Sequence, residues 1–204
     1  MLLLPQDAEL FFKLHRALMC FVNDRLQIIP GIGSPNEFSG LTLEERLDVR
    51  NAFLDEPDLI ELFCNSNPFD LTDEELDIVL SWRHQVAGEF FIFRYLKKYA
   101  VFLATEEPPI AYGVVALAEP FEDMIGPYLP IWTETVLLPF RGQIVYDGLL
   151  NSYNISFGPG IRRDLNESYK AAKECMGIIT SLPAKARPVA ARKPTKKAKR
   201  KPAR

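Results

Sequence analysis

Cysteine and histidine are scarce in this 204-residue chain, and their scarcity excludes more than any motif includes. The three cysteines, Cys20, Cys64 and Cys175, are odd in number and far apart, no CxxC occurs, and only His15 and His84 represent histidine. Neither a disulfide framework nor a structural zinc site is expected, and a reducing, cytoplasmic compartment is the natural one. Long hydrophobic runs are missing as well. The longest wholly uncharged apolar stretch, residues 110–118, is far short of the roughly 20 residues a membrane span needs, so no membrane contact is expected. Residues 1–4 are apolar but lead into Asp7 and Glu9 without a basic leader or a small-residue cleavage site, which argues against a secretory signal.

Catalytic and cofactor motifs are absent too. There is no P-loop, GxSxG or HExxH, and Gly31-Ile32-Gly33 lacks the third glycine of a dinucleotide site and follows a helical pattern. Nucleophilic catalysis needs a base within reach of its nucleophile, and neither His15 nor His84 sits in a recognisable motif. The sequence therefore nominates no catalytic residue, no metal site and no cofactor.

Negative charge is missing from one place only. From Pro183 to Arg204 there are ten basic residues and no acid, so the first 182 residues carry 14 basic against 27 acidic side chains, a net of −13 hidden beneath the whole-chain −3. The basic stretch holds four prolines, six alanines and one larger apolar residue, Val189. It cannot bury enough surface to offset the entropy of ordering it, which predicts a disordered tail over 183–204. An acidic body with a basic arm has the composition of an electrostatic anchor.

What is present is an ordinary globular body: 48% hydrophobic, 11% aromatic and 25% charged, enough for one core. Helical spacing of Leu10, Phe11, Leu14, Leu18, Phe21 and Val22 predicts a helix over 7–26, with Asp7 placed to accept from the first free amides. Residues 28–35 read as a loop. Thr42 to Glu45 is a capping box opening a helix to about Leu54, and Pro57 suits the first turn of a short helix through Phe63. Thr72 to Glu75 repeats the box and predicts a helix to about Ala87. Aromatic and β-branched runs then predict strands at 90–95, 99–104, 110–117, 134–138, 143–147 and 153–157. Pro139 is expected to break one of them and Arg141-Gly142 to turn a hairpin. Their short links, apart from the proline-rich stretch 119–130, favour an antiparallel order. Asp164 to Glu167 reads as the cap of a last helix. The expected fold class is α+β: a single domain over 1–182 with a mainly helical N-terminal half (1–87), an antiparallel β-meander of five or six strands (88–158), a closing C-terminal helix (161–181) and the disordered basic tail.

Three places invite a functional reading. Gly158, Gly160, Arg162 and Arg163 stand where a strand ends and a helix begins, so free amides, the positive helix end and two guanidiniums could hold a phosphate or carboxylate; the bland alternative is a turn whose arginines pair with nearby acids. Tyr146 and Asp147 could face a cleft, although a simple hairpin also accounts for the segment. In the tail, Lys193, Lys196, Lys197, Lys199, Arg200 and Lys201 could neutralise several phosphates of DNA or RNA. No aromatic is interleaved with them, so base readout is not expected. In a eukaryote the same run would read as a nuclear import signal.

The stretches LLPFRGQIVYDGLL (137–150), NISFGPGIRR (154–163) and GIITSLP (177–183) resemble a family of uncharacterised bacterial proteins, some of which end in a small zinc motif of the SEC-C type. Here the basic Ala/Lys/Pro tail, similar in composition to histone-like linker proteins, stands in that motif's place. The resemblance implies a bacterial, cytoplasmic origin and no known activity. The composition itself favours a non-enzymatic binding protein whose tail contacts nucleic acid without sequence specificity and whose body engages a protein partner or an anionic ligand. A metal-dependent hydrolase or nuclease using carboxylates near the meander, and a structural or oligomerising module, are the alternatives.

Overall fold

Pro5 has no N–H to leave unsatisfied and a φ already suited to a first helical turn, and it opens α1 (Pro5–Leu26), two residues ahead of the expected start. Asp7 does not cap that helix; it pairs with Arg141 on a distant hairpin. The computed structural model describes residues 2–184, so from residue 185 onward the expected disordered tail lies outside the described residues. A short helix, α2 (Pro35–Ser39), occupies the end of the segment read as a loop, with the Ser34 hydroxyl accepting from the Glu37 amide. Both capping boxes form as expected. Thr42 and Thr72 accept from the amides of Glu45 and Glu75, whose carboxylates accept in return, and they open α3 (Leu43–Asp55) and α5 (Asp73–Ser81). Between them α4 (Leu59–Ser66) starts just after Pro57 rather than on it.

The helix expected to reach Ala87 ends at Ser81. A 3-10 turn, Trp82–His84, follows, and Val86 already belongs to β1 (Val86–Tyr95). Tertiary pairing overrides the local helical stripe here: Val86, Ala87 and Gly88 pair with Leu137, Val136 and Thr135 of β4 (Ile131–Phe140).

The sheet is mostly antiparallel, as expected, and its first three strands run as a meander, but the strands go on to close a circuit. β1 pairs with β2 (Ala100–Ala104), β2 with β3 (Ala111–Val115), β3 with β5 (Gln143–Tyr146), β5 with β4, and β4 back with β1. The β3–β5 step is parallel, through Val114 with Ile144 and Val115 with Val145. The long proline-rich link is what permits it. It carries α6 (Phe121–Ile125) across the barrel end, so β4 returns to β1 and β5 falls beside β3. Phe90, Phe102 and Tyr112 meet on one barrel face, and Phe121 plugs against Phe102 and Tyr146 with ring centroids 5.3 Å away in each case.

Pro139 does not break its strand. β4 runs through it to Phe140, and the Pro139 carbonyl accepts from the Trp82 indole N–H at 3.1 Å. The Arg141-Gly142 turn forms as expected, both residues having positive φ. The sixth strand is shorter and earlier than expected: β6 (Asn151–Tyr153) pairs with β4 only as far as Trp132, and beyond Ile131 lies Pro130, which has no N–H to continue the ladder.

Gly113 of β3 is held against an aromatic ring. A Cβ there would lie 2.8 Å from two ring carbons of Tyr99. Gly113→Ala should destabilise by about 1–3 kcal/mol in urea unfolding, and a Tyr99→Ala background should remove most of that loss. Equal losses in both backgrounds would sink this explanation.

The closing helix also differs from expectation. α7 (Pro159–Cys175) is entered from Gly158, not capped by Asp164, which lies exposed within the helix. Gly177, with φ 76°, ends the helical path, and Ile178–Ile179 form β7 alongside β3. Leu165, Tyr169 and Ala172 of α7 cover Phe93, Val101, Leu103 and Ala111 on the outside of β1, β2 and β3. The N-terminal helices cover β4, where Phe11 packs edge-on against Phe140 and lies 5.6 Å from Trp82. The barrel is therefore clad on two sides.

Candidate functional site

Asp147 follows β5 at the point where Gly148, with φ 86°, turns the chain. Its Oδ1 accepts from the Leu149 amide at 3.0 Å and lies 3.1 Å from the Thr135 hydroxyl, which is also 2.8 Å from the Leu149 carbonyl. The Thr135 hydroxyl proton is shared between the two acceptors. Burial pushes Asp147 up to about 6, against the opposing pull of Arg50 and of its hydrogen bonds, that from Thr135 among them.

Arg50 of α3 is 2% exposed and stands between two carboxylates. Its Nη2 donates to Glu134 Oε1 at 3.1 Å and its Nε to Asn51 Oδ1 at 2.7 Å, while Nη1 lies 3.5 Å from Asp147 Oδ2. Among the described residues neither Arg50 Nη1 nor Asp147 Oδ2 has a hydrogen-bond partner, although both are buried. Such groups normally mark strain or a function.

His15 of α1 stacks on Phe11 with ring centroids 5.6 Å apart. Burial first, then the charges of Arg16, Arg46 and Arg50, push its imidazole down to about 4, so it is neutral at physiological pH. His15, Arg16, Ser39, Arg46, Asp147 and Gly148 line a cavity of about 70 Å³. A smaller cavity of about 10 Å³ meets the other side of Asp147, at Arg50 and Trp82.

The residues singled out from the sequence are distributed otherwise. Tyr146 does not face a cleft: it is buried against Phe121, its hydroxyl meets Met124 Sδ at 3.5 Å, and burial raises it to about 12. Hairpin geometry put it next to Asp147 in sequence, but alternation turns the two side chains apart. Gly158 and Gly160 lie at the entry to α7. Arg162 donates to the Phe157 carbonyl at 3.1 Å, while the exposed Arg163 lies 3.8 Å from Asp164. Lys193, Lys196, Lys197, Lys199, Arg200 and Lys201 lie outside the described residues. Among the described residues no group of three or more His, Cys, Asp or Glu side chains is placed to hold a metal ion, and no helix is long and apolar enough to cross a membrane.

Sequence reasoning found Asp147 but passed over Arg16, Arg46, Arg50 and Glu134. Arg50 did leave a trace, since it shares a helical face with the buried Val49 and Phe53. Comparison with family models, curated proteins and solved structures finds no match to this chain.

Proposed function

We propose that the chain is a non-enzymatic binding protein whose acidic body is tethered to the nucleic-acid backbone by its basic C-terminal arm. The observation that carries this reading is the charge segregation: ten cations without an acid in 22 residues, against a net of −13 in the rest. Such an arm binds by releasing counterions and reads no sequence.

The fold agrees with an arm-led mode. Five-stranded Greek-key barrels of the OB kind offer the β2–β3 face to oligonucleotides. Here α7 lies across that face, which supports a contact made by the arm instead. Fluorescence anisotropy of short labelled DNA and RNA tests this with the intact chain and with a full-length variant carrying glutamine at Lys193, Lys196, Lys197, Lys199, Arg200 and Lys201. Binding by the intact chain should weaken at least tenfold between low and physiological salt, and the variant should lose it. No binding by the intact chain, or undiminished binding by the variant, overturns the proposal.

A further inference from the structure

Arg16 and Arg46 run against the charge pattern of the body. Carboxylates there outnumber cations 27 to 14, yet among the described residues neither arginine forms an ion pair with an acid. Both line the 70 Å³ cavity beside the buried Asp147. Arg46 is steadied by the Thr42 carbonyl at 3.4 Å, and the Arg16 guanidinium lies 5.4 Å from the centre of the Phe12 ring. The acid of the facing short helix, Glu37, is turned away to the Gly33 amide at 2.9 Å. The charges of Arg16, Arg46 and Arg50 all act on His15, so they converge on one small volume.

We propose that this cavity binds a tetrahedral oxyanion: a phosphate, free or at the end of a phosphate monoester. The volume is about that of two waters in the liquid, which suits a single tetrahedral oxyanion. Arg16 and Arg46 supply forked N–H donors for its charged oxygens. The site is independent of the C-terminal arm.

Thermal unfolding of the full chain at constant ionic strength tests the proposal, with inorganic phosphate and glycerol phosphate as probes. Phosphate should raise the midpoint saturably, by roughly 5 °C at a hundredfold excess over Kd. Arg16→Gln/Arg46→Gln should abolish the rise, while Arg83→Gln, at an exposed site elsewhere, should leave it intact. If the double variant fails to fold, Arg46→Lys keeps the charge without the fork and should weaken phosphate at least tenfold. A response to glycerol phosphate assigns the site to monoester heads, and a response to inorganic phosphate alone assigns it to the free ion. No rise with either phosphate, or a rise unchanged in the arginine variants, overturns the proposal, whatever the arm does with nucleic acid.

Discussion

Replacing Arg50 by methionine should destabilise the protein by about 3–5 kcal/mol at neutral pH, far more than loss of an exposed ion pair. The guanidinium is 2% exposed and stands between Glu134 and Asp147. Its removal leaves two carboxyl groups in a space where one is fully buried and the other largely covered. Glu134 keeps only a 3.4 Å contact from Asn151, and Asp147 keeps the donors on its Oδ1 side. The loss therefore comes from stranded charge rather than lost packing, since methionine fills much of the same volume. That distinction can be measured. In Arg50→Met/Asp147→Asn one stranded charge is gone, so the double variant should unfold at a denaturant midpoint close to or above that of Arg50→Met. A packing origin would instead make the two losses add. A cost below about 1 kcal/mol would mean that the pair contributes no more than a surface contact.

The parts of this fold that could be read from sequence are those decided by near neighbours. Thr42 and Thr72 open their helices because the groups that satisfy the first amides lie three residues away. Arg141-Gly142 turns the hairpin for a similarly local reason. The misreadings share the opposite property. Residues 86–88 fit a helical stripe, and only β4, about fifty residues on, makes them a strand. Barrel closure follows from the path of the 116–130 segment, which no periodicity reports. The Asp164 signature is a good cap that Pro159 pre-empts, because a proline can begin a helix five residues sooner. The candidate site divides the same way. Asp147-Gly148 could be seen as a turn, whereas Arg16, Arg46 and Arg50 come from two helices and meet His15 and Asp147 only through packing.

Between pH 4.5 and 6 the stability of the intact protein should be nearly flat, because two large proton linkages cancel. Asp147 is raised in the fold from 3.8 to about 6. Its contribution is fully present below its unfolded value and is lost as pH rises through 6, since the folded state holds a proton the unfolded chain has released. His15 is lowered from 6.5 to about 4. Its contribution is present above 6.5 and is lost as pH falls, since here the unfolded chain holds the proton. Across the shared window the slopes are equal and opposite. Glu37, Glu45 and Glu75 are held below 4.5 in the fold, so their losses fall beneath the window. Single substitutions should expose each hidden slope. His15→Leu should lose about 2 kcal/mol of stability as pH rises from 4.5 to 6, and Asp147→Asn should gain a similar amount. Urea unfolding of the three proteins at four pH values checks this. Parallel profiles would show that Asp147 and His15 do not keep opposite protonation preferences inside the fold. Opposed profiles would place a carboxyl group that readily takes up a proton, beside an imidazole that resists one, at the wall of the arginine-lined cavity.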